Sequence, residues 1–286
     1  MKTVLITGGA NGLGKGVAMQ YLLKGDRVIV IGSSSKNGDA FLNEAGQLGV
    51  GERLVFIQAN LSLVKETWKI IEEVKTRFSA LDMLIFCATK HSKEYTETVE
   101  GFELTFALDY LSRFILSYGL KNCLEKTDAP VIMNVCGSGM KGDVNWDDLQ
   151  HKNNFIAQKV MMHGSRLNDL SGVAFIQNDT VGKIKYVLYN PRAVQTPGMM
   201  EVSGPMMKLM YKIIGKPVEK AILPIVKLLD NPPAPTLSAF RERKQLDLTM
   251  ETCNQENAKR LYNITTHLLL PIAVASPRLN NPHLNL

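Results

Sequence analysis

The residues whose type and spacing point most directly to chemistry are four glycines near the start of the chain. They follow the apolar run 4–6 and precede the helix-like segment 16–24, and they are Gly8, Gly9, Gly12 and Gly14. Glycines let a backbone come close to a ligand, and the first turn of a helix offers free N–H groups and a partial positive charge. An ordinary tight turn is the alternative interpretation. The placement between a strand and a helix favours a site for phosphate.

The elements that must position this turn alternate along the chain. Short runs rich in Val, Ile and Leu, typical of parallel strands buried on both faces, cover residues 4–6, 28–31, 54–59, 83–87, 131–135 and 184–189. Helix-like segments such as 63–78 separate them. This alternation predicts right-handed βαβ units in a Rossmann-type α/β fold, a doubly wound parallel sheet in a three-layer α/β/α arrangement. Ligands of such sheets bind beyond the carboxyl ends of the strands.

Composition narrows the class of protein. The chain has 286 residues, 45% of them hydrophobic and 21% charged, which is the make-up of a globular protein. We expect a single domain over residues 1–270 and a frayed tail over 271–286. The net charge of +6 is mild and basic residues do not cluster beyond 241–244, which argues against nucleic acid as a partner. The four cysteines are scattered and no C-x-x-C or H-E-x-x-H motif occurs, so no metal site is expected.

The start of the chain and its apolar runs bear on location. The first residues form a strand-like run with no signal-peptide pattern ahead of it, and no apolar run reaches the ~18 residues that cross a bilayer. We therefore expect no membrane span and a cytoplasmic location.

Residues 190–232 interrupt the alternation and contain five methionines: Met199, Met200, Met206, Met207 and Met210. Methionine adapts to irregular apolar contacts. One interpretation is a lid that closes over a hydrophobic small-molecule substrate, and the other is a core-facing helix.

The glycine turn resembles the T-G-x-x-x-G-x-G signature of the short-chain dehydrogenase/reductase superfamily, which residues 7–14 match. Residues 81–85 resemble the fourth strand of that family, residues 98–116 its fourth-helix region, and Asn190, Pro191 and Thr196 its P-G…T segment. Residues 146–150 and 258–269 resemble the retinol-dehydrogenase-like branch. The resemblance covers residues 1–270 and implies an oxidoreductase scaffold that binds a nicotinamide dinucleotide.

The resemblance also implies which residues touch the cofactor. Family members that use NAD carry an acid after the second strand for the ribose hydroxyls. Residues 31–36 carry none here, and Ser33, Ser34 and Lys36 are suited to a 2′-phosphate, so NADP(H) is expected; a plain serine turn is the alternative. Asn60 takes the place of the family's adenine-binding Asp. The full set of expected cofactor contacts is Gly8, Asn11, Gly12, Leu13, Gly14, Ser33, Ser34, Lys36, Asn60, Leu61, Ala88, Arg166, Pro191 and Thr196.

The chain departs from the family where the proton is moved. The family uses Asn, Ser, Tyr and Lys, and these align with Asp109, with Gly137 or (after a one-residue shift) Ser138, with Met162 and with Arg166. Methionine cannot exchange a proton, and arginine stays protonated, although Arg166 could still grip the ribose. Loss of a general acid–base group typically costs about 10²–10⁴-fold in rate.

Four residues remain as catalytic candidates: Ser138, His163, Asp109 and Arg166. An imidazole titrates near neutral pH, but His163 lies one helical position from the tyrosine's place, and a partly exposed structural histidine is the alternative. Asp109 could act as a base or pair with Arg166. Ser138 could orient a carbonyl.

Three functions follow as hypotheses. The first is an atypical oxidoreductase that transfers hydride from NADPH to an apolar carbonyl or conjugated alkene. The second is a non-redox cyclase, isomerase or lyase on the same scaffold, and the third is a non-catalytic protein that binds NADP(H). By analogy with the family, association through the fourth and fifth helices predicts a homodimer or homotetramer.

Overall fold

A single twisted sheet forms the centre of the computed structural model, which describes residues 1–90, 92–140, 142–196 and 214–275. Its strand order is β3-β2-β1-β4-β5-β6-β7-β8. Seven strands run parallel and the last pairs antiparallel at the edge. The strands are β1 Thr3–Thr7, β2 Arg27–Gly32, β3 Leu54–Gln58, β4 Met83–Phe86, β5 Val131–Val135, β6 Lys185–Asn190, β7 Leu237–Arg241 and β8 Lys244–Gln245.

Helices cover both faces of the sheet. In the described residues they are α1 Gly12–Leu23, α2 Ser35–Gln47, α3 Val64–Arg77, α4 Leu104–Phe106, α5 Ser112–Gly119, α6 Lys121–Leu124, α7 Ala157–Asn178, α8 Val218–Asp230 and α9 Gln255–Val274. A π-helical turn, Ala107–Leu111, joins α4 to α5. The predicted Rossmann-type three-layer fold is confirmed.

The core lies on both sides of the sheet because side chains of a strand point alternately to its two faces. Leu5, Ile29 and Ile31 belong to the cluster on one face. Val4, Ile6 and neighbouring residues of β2 belong to the cluster on the other. Burial on both faces explains why the strands read as continuous apolar runs.

The order of the strands creates a switch point between β1 and β4. The chain winds from β1 to β3 on one side, then returns to place β4 against the other side of β1. Crossovers that leave in opposite directions open a crevice at the carboxyl ends of these two strands.

Helix α1 begins at Gly12, four residues before the segment that the sequence suggested. Asn11 has an extended backbone, and its side-chain oxygen accepts a hydrogen bond from the Gly12 N–H at 2.7 Å. The side-chain cap lets two glycines enter the first helical turn, where helix propensity alone disfavours them.

The last helix, α9, packs chiefly against α7 and reaches α5 and the π-helical turn through two side chains, those of Tyr262 and Thr265. The Tyr262 ring lies 5.7 Å from that of Phe114 and 5.5 Å from that of Tyr118, and the hydroxyls of Tyr110 and Thr265 share a hydrogen bond at 2.5 Å. All eight residues of α5 are buried. Residues 271–274, which we expected to fray, belong to α9, whereas 276–286 lie outside the described residues.

The residues on either side of the 197–213 part of the segment predicted to be a lid are hydrogen-bonded to each other. Val194 pairs with Lys216, and the Gln195 N–H donates to the Lys216 carbonyl at 2.9 Å. Residues 197–213, which include the five methionines, lie outside the described residues, so the lid stays a prediction.

Candidate functional site

The glycine turn packs directly against the end of β4. Gly8 has a φ of +66°, and a Cβ added to it would lie 2.7 Å from backbone atoms of Ala88. A Cβ on Gly14 would lie 2.5 Å from the Gly8 carbonyl oxygen. Both positions therefore exclude any side chain, because the close approach involves backbone rather than a flexible group. The turn leads into the first turn of α1, whose amides lack partners inside the helix.

The end of β2 presents hydroxyls and a lysine at the start of a second helix. Ser34 caps α2, its Oγ accepting a hydrogen bond from the Asn37 N–H at 3.2 Å. Ser33 and Lys36 are exposed beside it, and the first turn of α2 contains no acid. Since a helix N-terminus carries partial positive charge, this corner is suited to an anion.

Asn60 and Leu61 follow β3. The Asn60 side-chain oxygen accepts hydrogen bonds from the Ser62 N–H at 3.2 Å and from the Ser62 hydroxyl at 2.7 Å. Asn60 is exposed, so its amide N–H₂ group can donate to a ligand, whereas the Leu61 side chain is buried in the core.

Asp109 lies on the π-helical turn, close to the residues that follow β4. Its Oδ2 accepts a hydrogen bond from the Thr89 hydroxyl at 2.8 Å. Its Oδ1 is buried and has no hydrogen-bond partner within the described residues. The Asp109 backbone carbonyl accepts from the Asn168 side chain at 2.9 Å. Asp109 is thus paired with Thr89 rather than with Arg166.

Arg166 is held inside the chain. Only 1% of it is exposed, and its Nη2 donates to Asp169 Oδ2 at 2.8 Å and to the Gly137 carbonyl at 3.2 Å. Burial raises the pKa of the Asp169 carboxyl, and the Arg166 guanidinium opposes that rise. Nε and Nη1 of Arg166 have no partner in the part of the chain that the structure describes. The side chain is held in a buried ion pair beside the loop that follows β5.

Ser138 is also turned inward. It is completely buried beside Asp169, and its carbonyl accepts a hydrogen bond from the Asn190 side chain at 3.0 Å. A hydroxyl in this position cannot reach a ligand without movement of the loop. A Cβ at the neighbouring Gly137 would lie 2.3 Å from the Ser165 Oγ, so this hydroxyl would have to move to admit a side chain there.

His163 faces the loop before α7. Its Nε2 accepts a hydrogen bond from the Asn145 N–H at 3.1 Å, and its ring lies edge-on to that of His151, 4.7 Å between centroids. Burial, and to a smaller extent His151, lowers the pKa of His163 to about 4. The imidazole is therefore neutral at pH 7, and its acceptor nitrogen is occupied by a backbone N–H.

The segment after β6 contains a non-glycine residue in the left-handed region. Arg192 has a φ of +59°, in the left-handed region that favours glycine, and its N–H donates to Asn190 Oδ1 at 2.9 Å. Pro191 and Thr196 are half-buried on either side. Thr196 is the last described residue before the gap that ends at 213.

Sequence reasoning missed several polar residues that the fold brings together under the crevice. They are Thr89, Arg113, Asn134, Asn168 and Asp169. Two signals were available: Arg113 is the only charge in the apolar run 110–120, and Asn134 interrupts the apolar strand 131–135. A polar residue inside such runs needs a partner.

No group of three or more His, Cys, Asp or Glu side chains in the described ranges is arranged to hold a metal ion. The helices of those ranges are all too short or too polar to cross a membrane. Burial raises the pKa of the Cys87 and Cys136 thiols to about 12, which makes them unreactive at neutral pH.

Comparison with known proteins agrees with the geometry. Residues 2–147 match the family model for short chain dehydrogenase. The chain is 30% identical over 172 residues to the oxidoreductase AN1596 of Emericella nidulans, covering 59% of this chain and 52% of that protein. It is 31% identical over 173 residues to human retinol dehydrogenase 14, covering 54% and 50%. The chain thus spans about half the length of these curated relatives.

A solved structure with a similar fold covers nearly the whole chain. It is an uncharacterised protein from Mycobacterium paratuberculosis, with a TM-score of 0.69 and 16% sequence identity over 94% of this chain and 93% of that one. At this identity the likeness concerns the fold alone.

Proposed function

Because the chain belongs to the short-chain dehydrogenase family, in its retinol-dehydrogenase-like branch, we propose that it binds a nicotinamide dinucleotide at the switch point and prefers NADP(H) to NAD(H). One observation carries this proposal. The glycine turn and the acid-free start of α2 are open and intact, while the residues aligned with the family's proton relay are engaged elsewhere in the chain.

The adenosine and pyrophosphate half of the cofactor fits the residues present. The turn from Gly8 to Gly14 and the first amides of α1 would hold the pyrophosphate, since a Cβ at either glycine would fill the turn. Ser33 and Lys36 would hold the 2′-phosphate, because both are exposed at the start of α2. Asn60 would meet the adenine.

The nicotinamide half fits less well. A bound nicotinamide supplies a hydride donor or acceptor. The residue that should grip its ribose, Arg166, is paired with Asp169, and Met162 cannot exchange a proton. We therefore propose that the chain binds NADP(H), and we do not propose a Tyr–Lys proton relay for it.

A second candidate function is redox chemistry with a substituted base, and it is favoured by the Thr89–Asp109 hydrogen bond. The pair lies at the carboxyl end of β4, and one oxygen of the carboxylate has no partner within the described residues. A carboxylate so placed can take the proton of an alcohol directly or through the Thr89 hydroxyl. We propose a hydrophobic alcohol or carbonyl compound as substrate, as the methionines of 197–213 suggest.

The main proposal is tested by titrating the protein with NADPH and with NADH, followed by Trp146 fluorescence. We expect tight NADPH binding and at least tenfold weaker NADH binding. Lys36→Ala should weaken NADPH binding severalfold and leave NADH unchanged, because only the 2′-phosphate loses a partner. Lys69→Ala, an exposed lysine on α3, is the matched control. Equal affinity for both cofactors would remove the NADP(H) preference, and no binding of either would remove the proposal.

The second candidate is tested with a panel of apolar alcohols, carbonyls and enones by following NADPH absorbance. Asp109→Asn should lower any turnover by about 10²-fold or more while cofactor affinity stays the same. Unchanged turnover in this variant would rule out Asp109 as the base.

A further inference from the structure

Arg113 is a buried arginine that ties two strand ends together. It lies on α5, directly after the π-helical turn, and 4% of it is exposed. Its Nη1 donates to the Val135 carbonyl at 2.9 Å and to the Asn134 side-chain oxygen. Its Nη2 donates to the Ala88 carbonyl at 2.8 Å. One planar guanidinium therefore bridges the ends of β4 and β5.

The charge of Arg113 is not neutralised by an ion pair with any Asp or Glu of the described residues. A buried cation without a carboxylate costs free energy that neutral carbonyls offset only in part. An apolar residue would fit the surrounding run 110–120 at lower cost. Stability of the fold alone therefore does not account for an arginine at this position.

The segment that follows β4 accepts a hydrogen bond from Arg113 and packs against the glycine turn. Ala88 is the residue whose backbone lies 2.7 Å from a Cβ built on Gly8, and its N–H donates to the Thr7 hydroxyl at 3.3 Å. A shift of Ala88 by a few tenths of an ångström would change the width of the turn. The hydrogen bond from Arg113 to the Ala88 carbonyl thus fixes a segment that packs against the glycine turn.

The same network reaches the opposite side of the crevice. Asn134 Nδ2 donates to Asn168 Oδ1 at 2.8 Å, and Asn168 Nδ2 donates to the carbonyls of Asp109 at 2.9 Å and Gly164 at 2.8 Å. These bonds connect β5, the π-helical turn and α7. Arg113 stands at the centre of a buried chain of hydrogen bonds that surrounds the switch point.

We propose that Arg113 is the positioning residue of the cofactor site: its two-pronged guanidinium fixes the ends of β4 and β5 so that the glycine turn is held at the width that a dinucleotide pyrophosphate requires. This inference rests on the proposed function. The fork geometry is essential, because a lysine at this position keeps the charge but cannot bridge both strand ends in the same plane.

The test compares two ligands in the variants Arg113→Met and Arg113→Lys. NADPH reaches the glycine turn, whereas adenosine 2′-phosphate has the 2′-phosphate but no pyrophosphate or nicotinamide. We expect both variants to bind NADPH at least tenfold more weakly and to bind adenosine 2′-phosphate as the unmodified protein does. Arg53→Met is the matched control. Arg53 is a half-buried arginine that directly precedes β3 and donates to the Leu22 carbonyl. Circular dichroism at the assay temperature verifies folding.

Each outcome bears on the inference. Unchanged NADPH affinity in Arg113→Met overturns it, and so does an equal loss for both ligands, which indicates general damage. Full NADPH affinity in Arg113→Lys overturns the claim that the planar, two-pronged guanidinium is required. If Arg113→Met does not fold, the result for Arg113→Lys alone decides. Failure of the unmodified protein to bind NADPH removes the proposed function itself, which separates the two failures.

Discussion

Arg166 and His163 both lie on α7, and each makes contacts within the chain. Arg166 pairs with Asp169, and His163 accepts a hydrogen bond from the Asn145 N–H. The Thr89–Asp109 pair and the network around Arg113 lie at the end of β4.

The neutral state of His163 makes the stability of the fold dependent on pH. In the folded chain its pKa is about 4, whereas an unfolded histidine titrates near 6.5. Between these values the unfolded chain binds the proton and the folded chain does not, so stability is full above pH 6.5 and is lost as the pH falls toward 4. We expect a loss of about 1.4 kcal/mol of unfolding free energy per pH unit from this residue.

Urea denaturation at several pH values between 7 and 4.5 measures this effect. His163→Gln should flatten the dependence, because glutamine can still accept the Asn145 N–H but does not titrate. His267→Gln, an exposed histidine on α9, serves as the control and should keep the original slope. An identical slope in the His163 variant would contradict the prediction.

Arg192 gives a second prediction for a single residue. Its φ of +59° is tolerated by glycine and by long unbranched residues but opposed by a branched Cβ. Arg192→Val should lower the free energy of unfolding by about 1–3 kcal/mol, and Arg192→Gly should not. Thermal denaturation of both variants distinguishes backbone strain from loss of the arginine side chain, which would affect them equally.

At the scale of elements, the loop after β5 packs closely on α7. A Cβ at Gly137 would lie 2.3 Å from the Ser165 Oγ and 2.7 Å from the Met140 Sδ. A side chain at position 137 would therefore require Ser165 and Met140 to move.

Gly137→Ser should therefore destabilise the chain by about 1–3 kcal/mol through overpacking. Ser165→Ala in the same chain should recover part of that loss, since the two sites are in contact and their effects are not additive. Gly164→Ser is the matched control, because a Cβ there meets nothing within 4 Å. Additive effects of the two substitutions, measured by urea unfolding, would disprove the contact.

The strands and helices were largely predictable from the sequence, whereas the hydrogen-bond partners of the candidate site residues were not. Apolar runs identified β1 to β6 because strands buried on both faces leave a pattern in the sequence. The start of α1 was missed because the Asn11 cap overrides the low helix propensity of glycine. The role of His163 depends on a backbone amide of a distant loop, and the pairing of Arg166 depends on which face of α7 is buried. Neither is encoded in local residue types.

At the scale of the whole molecule, the chain covers its own fourth-helix region. Every residue of α5 is buried, and α9, which packs mainly on α7, places the Tyr262 ring against Phe114 and Tyr118. The homodimer or homotetramer that analogy suggested would need this face. We therefore propose that any association of the chain uses another surface.

Leu261→Ala on α9 checks this. Leu261 is 1% exposed, so its truncation should cost about 2–5 kcal/mol of unfolding free energy. The difference in unfolding midpoint between the unmodified protein and the variant should be the same at every protein concentration, since the contact lies within one chain. A difference that changes with concentration would indicate that α9 packs between subunits.

The packing of Gly8 against Ala88 has a consequence for how the protein is made. The two residues are eighty positions apart, and β2 and β3 lie between β1 and β4 along the chain. A nascent chain that ends before residue 88 has the glycine motif but lacks the backbone that packs against it. The nucleotide proposed above would therefore stabilise the growing polypeptide only after the fourth strand has been synthesised, as a late folding ligand rather than as a nucleus.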